Sequence, residues 1–259
     1  IYEPGLEAML KRNPAVKPEE ADTTTVGIVL QPSFLGGFQA SIDWYDIQIS
    51  GAIAQLTAQQ LVDGCAVLGD QTLCQYVIRS GNPQTGPIER IDSLFINLAE
   101  QIMEGIDVEL SYRRPVTLLG GGAESIGARV FGSRLLHNST QNRGAALDER
   151  VGQISILGLP KNKATAILTY TNGPYSGTVI GRYIGGGILD RTLVESDVPL
   201  RNPTTGATIT TIDDNTVGSV FYTDLTLGWR PESIEGLHVY GTVTNLLDRA
   251  PPMAPSAIG

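Results

Sequence analysis

Stretches of roughly ten residues that alternate apolar with polar recur along this chain, and the connections between them run short, long, short. The stretches are Asp22–Leu30, Phe38–Ser50, Ile102–Arg114, Glu124–His137, Lys163–Thr171, Gly177–Gly185, Val217–Arg230 and Gly236–Asn245. Brief connections rich in Gly, Pro and Ser join them in pairs, at Gln31–Gly37, Pro115–Ala123, Asn172–Ser176 and Pro231–Glu235. Between the pairs lie long connections, Gly51–Gln101, Asn138–Asn162 and Gly186–Thr216. Antiparallel strands crossing a slab of fixed thickness produce this layout, with tight turns on one side and free loops on the other. A transmembrane β-barrel has strands of about ten residues, short turns at one rim and long loops at the other. A soluble sandwich has no reason to sort its loops by side.

Alternation assigns the two faces. From Ile106 to Arg113 every even position is apolar or aromatic and every odd one polar or charged. Successive strand residues point to opposite faces, so one face would meet lipid and the other a wet lumen. Leu225, Leu227 and Trp229 alternate in the same way with Asp224, Thr226, Gly228 and Arg230. Asp107, Glu109, Arg113, Asp224 and Arg230 are therefore candidate lumen-lining residues. Tyr112, Tyr170 and Trp229 each lie beside a short turn, the place of a lipid-facing aromatic girdle. The alternation that begins at Phe38 changes phase at Tyr45, which reads as a β-bulge or as the strand leaving the membrane. A soluble antiparallel sheet with one face on a core also alternates; the sorted loop lengths favour the slab.

Composition fits either reading. Hydrophobic residues make up 41% of the chain and mean hydropathy is +0.01, as suits strands that are apolar on one face only. No run of eighteen apolar residues exists, which excludes a transmembrane helix, and thirty glycines favour an all-β chain. A net charge of −9 and a pI near 4.7 argue against nucleic acid as a partner. No linker or composition break divides the chain. The opening residues do not form a signal peptide, so an exported chain would have lost its leader or be a piece of a longer one.

Cys65 and Cys74 lie in the longest connection, after a helix-like stretch, Thr57–Asp63, that Thr57 could cap. Both sit in a polar loop, which favours a disulfide in an oxidising compartment over two reduced cysteines packed as small apolar residues. No His neighbours them, so zinc is not indicated.

Asn13-Pro14-Ala15-Val16-Lys17-Pro18-Glu19-Glu20-Ala21-Asp22, running into Thr25-Val26-Gly27, resembles the NPxLKPExxxxxxxG signature of TonB-dependent outer-membrane receptors. Ser41–Ile49, Gly105–Tyr112 and Val243–Asp248 are similar to further stretches of that family, the last to the NLFD element before its final barrel strand. Pro14 and Pro18 would hold the lead-in extended, and Gly27 and Gly105 would let strands approach or bend. The resemblance implies an antiparallel up-and-down transmembrane β-barrel, with about eight strands of a 22-stranded barrel whose lumen is plugged. It implies that residues 1–259 are a C-terminal portion of that barrel, with the plug domain, the TonB box and the final strand outside it. It implies a receptor in the outer membrane of a Gram-negative bacterium. Such a receptor binds a scarce, bulky nutrient (a ferric siderophore, a cobalamin-like molecule or an oligosaccharide) on its extracellular loops. Its partners would be outer-membrane lipid, the remainder of the receptor, and the TonB–ExbB–ExbD motor acting through the missing N-terminal region. On this reading Asp107, Glu109 and Arg113 line the transport path or anchor the plug; a plain wet wall would need the same side chains. The alternative is a small non-transporting outer-membrane barrel or a secreted β-sandwich with an adhesive or structural role.

Enzymatic chemistry finds little support. His137 and His238 are the only histidines, on different strands, with no nucleophile motif nearby. The triplets Gly120–Gly122 and Gly185–Gly187 lack the strand–turn–helix setting of a phosphate loop and read as a turn and a strand exit. Asp213-Asp214-Asn215 lacks calcium-loop spacing and reads as a solvated turn. No catalytic residue, cofactor or metal ligand is expected.

Overall fold

Seven long strands and a shorter eighth follow one another in hydrogen-bonded order: β1 (Glu20–Leu30), β2 (Phe38–Gln55), β3 (Ile88–Val116), β4 (Glu124–Asn142), β5 (Asn162–Asn172), β6 (Tyr175–Ile184), β7 (Val220–Trp229) and β8 (Val239–Val243). The computed structural model describes residues 8–11, 13–67, 69–83, 85–120, 123–142, 147–154, 159–204 and 206–253. Gly121 and Gly122 of the first glycine triplet, and the end of the chain from Ala254, lie outside the described residues. Each strand falls on a stretch marked by alternation, and the fold is the expected antiparallel meander, 58% strand and 6% helix. The strands β4–β5, β5–β6, β6–β7 and β7–β8 pair antiparallel in unbroken register.

The chain divides into two compact units. Residues 24–46, 103–138 and 150–259 form the larger one, which holds most of the meander and all four short turns. Glycine is needed at particular points of it. A Cβ at Gly37, whose φ is +84°, would overlap the Arg113 carbonyl. A Cβ at Gly105 would overlap the Tyr45 ring. The family-like stretch ending at Asp248 closes as a tight turn after β8. Asn245 and Asp248 take left-handed φ of 51° and 47°, and the Asp248 amide donates to the Asn245 carbonyl at 2.8 Å. The connection between β6 and β7 is an ordered excursion built from two-residue ladders, Gly187–Ile188 with Thr216–Val217, Val194–Glu195 with Thr211–Ile212, and Leu200–Arg201 with Thr208–Ile209. Asn215 is buried and braces it, donating to the Asp190 carbonyl at 2.7 Å, so the Asp213–Asn215 stretch is more than a solvated turn.

The smaller unit comprises residues 1–23, 47–102 and 139–149. Its long connection contains α1 (Ala58–Ala66) and α2 (Gln71–Cys74). Thr57 caps α1 in a reciprocal box: the Gln60 amide donates to Thr57 Oγ1 at 3.3 Å, and the Thr57 amide to Gln60 Oε1 at 2.9 Å. The helices bury Leu61, Val62 and Leu73 against Leu56, Val77, Ile91 and Ile96, and Cys65 is bonded to Cys74 with 4.6 Å between their Cα atoms. The expected loop Gly51–Gln101 is thus largely ordered: β2 runs on to Gln55, and β3 starts fourteen residues before the expected Ile102. Strand Val77–Arg79 pairs antiparallel with Ile88–Ile91, and Ala8–Lys11 lies parallel to Ile91–Leu94. Alternation is lost in this stretch because Asp92 and Ser93 are buried and satisfied internally, by Arg90 Nε at 2.8 Å and by the Leu56 carbonyl at 3.0 Å.

Candidate functional site

Directly paired residues in a ladder point to the same face, so the registers divide the larger unit into an apolar and a polar face. On the apolar face, β6 presents Tyr175, Gly177, Val179, Gly181 and Tyr183, opposite Trp229, Leu227, Leu225, Thr223 and Phe221 of β7. Aromatic residues form the first and last rungs, Tyr175–Trp229 beside the short turn and Tyr183–Phe221 eight residues further on. Eight residues span about 27 Å along a strand and about 21 Å after a tilt of about 40°, close to the apolar band of a membrane barrel. No charged residue lies between the two rungs. The strip continues across β5 through Tyr170, Leu168, Ala166 and Ala164, and across β4 through Ile126, Ala128, Val130 and Gly132.

Tyr170 and Trp229 thus sit on the apolar face at the short-turn end, and Tyr112 shares that face by alternation from Glu109 on β3. Tyr170 owes its place to Glu124, whose buried carboxylate accepts from the Tyr170 hydroxyl at 2.8 Å and from the Leu118 amide at 2.7 Å. Sequence reasoning passed over Tyr175, Tyr183 and Phe221; their register opposite one another was the signal that adjacent strands could have supplied. Trp44 donates from Nε1 to Glu104 at 2.8 Å, and His137 lies 3.7 Å from the same carboxylate. Where the alternation of β2 changes phase, the strand continues, and Tyr45 covers Gly105 on the opposite face from Trp44.

The polar face carries hydroxyls and paired charges. Ser125 bonds Thr171 at 2.8 Å, Thr169 bonds Thr178 at 3.3 Å, and Thr226 bonds Thr242 at 3.0 Å. Arg129 donates to Glu109 at 2.7 Å while its guanidinium lies 4.8 Å from the Phe131 ring centre. Glu109, Ser111, Arg113, Ser125, Arg129 and Thr169 line a groove of about 660 Å³ on this face. Of the five residues read as lumen-lining, Glu109 and Arg113 border the groove directly, and Asp107 shares their face by alternation. Asp224 is buried and engaged: it accepts from Arg182 at 2.9 Å and caps the turn after β8 by accepting from the Asn245 amide at 2.8 Å. Arg230 lies one residue beyond β7, in the short turn, where its amide donates to the Pro174 carbonyl at 2.8 Å.

In the smaller unit the lead-in residues are clipped by two asparagines. Asn13 Nδ2 donates to the Phe95 carbonyl at 2.9 Å, and Asn97 exchanges bonds with the Lys17 amide and carbonyl at 2.8 Å each. Asn97 was not marked by the sequence, since its partner lies eighty residues away. A cleft beside them is lined by Asn13, Lys17, Thr72, Gln75, Tyr76 and Asn97. No group of acidic, His and Cys side chains suited to a metal ion occurs among the described residues.

A family profile described as "TonB dependent receptor-like, beta-barrel" matches residues 2–246. No curated protein sequence matches the chain. Among solved structures, the outer membrane transporter YddB from Escherichia coli is similar with a TM-score of 0.59 and 9% identity, over 98% of this chain and 33% of that one. A mutant of the ferric enterobactin receptor PfeA from Pseudomonas aeruginosa, in complex with enterobactin, is similar with a TM-score of 0.58 and 14% identity, over 96% and 29%. The FrpB iron transporter from Neisseria meningitidis gives 0.52 and 14%, over 96% and 31%. The chain therefore spans a third or less of the length of these three structures.

Proposed function

Since the chain belongs to the TonB-dependent receptors, as part of their β-barrel, we propose that it forms wall and outer loops of an active importer in a Gram-negative outer membrane. The observation that carries this reading is the two-faced meander: an uncharged strip between aromatic rungs on one face, and hydroxyls with paired charges on the other. We assign the strip, with Tyr112, Tyr170 and Trp229, to lipid, and the face bearing Asp107, Glu109, Arg113 and Asp224 to the lumen. Arg230 then stands at the rim of that lumen. Salt bridges such as Glu109–Arg129 neutralise a wall that a plug and a passing solute must both meet, and at their exposure they contribute little to stability.

The substrate is a scarce, bulky nutrient, a ferric siderophore, a cobalamin-like molecule or an oligosaccharide, carried inward with energy from the TonB–ExbB–ExbD motor. Iron-related substrates come first among these, because PfeA and FrpB are named as a ferric enterobactin receptor and an iron transporter. β1 and β8 end the strand order, and every residue of both is exposed. Edges of that kind cannot stay unpaired in hydrocarbon. We infer that they pair with other strands of the receptor, and that residues 1–259 are a C-terminal portion of a 22-stranded barrel. That inference favours the receptor over a self-contained eight-stranded barrel.

The test is nutrient uptake by cells that carry or lack the full-length receptor. Radiolabelled ferric siderophores, cobalamin and oligosaccharides are supplied in turn, with and without a functional TonB. Uptake of one class that needs both the receptor and TonB is the expected result. Uptake of every class that is indifferent to the deletion would refute the proposal.

A further inference from the structure

Three of the four short turns share a pattern that the fold alone does not require. Pro32-Ser33-Phe34-Leu35-Gly36-Gly37, Pro115-Val116-Thr117-Leu118-Leu119-Gly120 and Pro231-Glu232-Ser233-Ile234-Glu235-Gly236 each place a proline first, a branched aliphatic residue three later and a glycine two after that. The first and third close identically. The Leu35 amide donates to the Pro32 carbonyl at 3.1 Å and the Phe38 amide to the Leu35 carbonyl at 3.1 Å; Ile234 and Pro231, then Leu237 and Ile234, do the same at 3.3 and 3.2 Å. The glycines have φ of +84°, +69° and +81°. Proline, glycine and main chain therefore make the turn. The aliphatic side chain takes no part in it.

That side chain is nevertheless apolar every time and faces outward: Leu35 is 38% exposed, Leu118 63% and Ile234 54%. Phe34, at 90%, and Leu119, at 75%, enlarge the same rim. Turns bathed in water favour Asn, Asp and Ser at such positions, and apolar residues gathered at one rim mark a contact surface. The rim adjoins the end of the apolar face, where the Tyr175–Trp229 rung runs on through Asn172 and buried Glu124. The Tyr175–Trp229 rung stands directly above it, and Glu124 ties the Leu118 and Leu119 amides to the Tyr170 hydroxyl. Exposed Arg114 precedes Pro115, and Glu232 and Glu235 lie on either side of Ile234. An arginine at a membrane rim reaches phosphates, while the glutamates hold the third turn at headgroup level, since charge in hydrocarbon is costly.

We propose that the short-turn rim is a membrane-interface anchor, in which Leu35, Leu118 and Ile234 insert into the headgroup layer of the phospholipid leaflet on that side and Arg114 pairs with its phosphates. The inference rests on reading the apolar face as lipid-facing.

The experiment uses the full-length receptor in vesicles of phosphatidylethanolamine and phosphatidylglycerol. Single nitroxide labels are placed at Leu35→Cys, Leu118→Cys or Ile234→Cys, with Phe34→Cys and Leu119→Cys as second positions should one variant fold poorly. Val179→Cys reports the strip and Thr204→Cys the tip of the long excursion. Collision of each label with oxygen, which partitions into lipid, is compared with collision with a water-soluble nickel chelate. Turn labels whose oxygen-to-nickel ratio stands well above that at Thr204 and approaches that at Val179 support the anchor. Nickel access at the turns while Val179 stays in lipid overturns the anchor and leaves the receptor reading intact. Shielding of the turn labels from both reagents also overturns it, since the rim would then be covered by the receptor's own chain. Nickel access at Val179 overturns the lipid-facing assignment itself.

Discussion

Leu61→Ala tests whether the helical insert of the smaller unit is held by a true core. Leu61 is 1% exposed among Leu56, Val62, Leu73, Val77, Ile91 and Ile96. Truncation removes three buried carbons, about 2.4 kcal/mol at roughly 0.8 kcal/mol each, and the cavity left behind brings the total to about 3–4 kcal/mol. At about 1.4 kcal/mol per tenfold, the locally open population should rise at least about 100-fold. The assay is hydrogen exchange by mass spectrometry on the full-length receptor in detergent, following the peptide that spans α1 and α2. Val67→Ala is the control, because that side chain is 77% exposed and its loss should change protection by less than about 0.5 kcal/mol. A change below about 1 kcal/mol for Leu61→Ala would refute the reasoning, since the helices would then be held by something other than apolar packing.

Replacing Cys65 and Cys74 together by Ser should loosen the same peptide by about 2.6 kcal/mol, from the closure of a nine-residue separation, and dithiothreitol should mimic the change. Asp224→Ala strands the Arg182 guanidinium and the Asn245 amide, so the temperature at which the barrel loses its heat-modifiable gel mobility should fall, by an amount equivalent to about 1–3 kcal/mol. Unchanged mobility would show that the bond is replaced by water. Gly37→Ala should destabilise by more than Gly120→Ala in urea titrations: both have positive φ, costing about 1–2 kcal/mol, but a Cβ at Gly37 also meets the Arg113 carbonyl while one at Gly120 meets open space. Asp190 is held below its ordinary value of 3.8 by the Thr192 amide and then by its hydroxyl. Its contribution is therefore present above that value and lost as pH falls through the lower folded one. Exchange in the Gly187–Val217 excursion should rise below about pH 4, and Asp190→Asn should flatten that dependence.

Strand positions were legible because a strand with one apolar face writes its period into the sequence. Ile106–Arg113 and Asp224–Trp229 needed no tertiary information. The outer ends of β2 and β3 were not legible, since Asp92 and Ser93 are buried there and the Ser93 partner, the Leu56 carbonyl, lies thirty-seven residues away. Asp224 looked like a free wall charge because its alternation is correct, yet its role is set by Asn245, on the far side of β8. Glu124 was absent from the candidates for a related reason. Its partners are the backbone amides of the preceding turn and a tyrosine on the next strand, and a carboxylate beginning a strand carries no mark of either. Cys65 and Cys74 were the reverse case: few polar-loop pairs of cysteines have another use, so their chemistry spoke without a fold.

The eight-residue interval between the Tyr175–Trp229 and Tyr183–Phe221 rungs also has a cellular meaning. On the lipid-facing assignment proposed above, it sets a hydrophobic height of about 21 Å, whereas an average bilayer has a hydrocarbon core of about 30 Å and the bacterial outer membrane is thinner than average. In a thicker membrane, tilting could only shorten the span further, so the lipid would have to compress around the wall at a cost that grows with every ångström of mismatch. The same assignment gives insertion into a thicker membrane a geometric cost. Removing the upper rung, with Tyr183→Ala and Phe221→Ala, should widen the range of lipid chain lengths accepted in vesicle insertion assays.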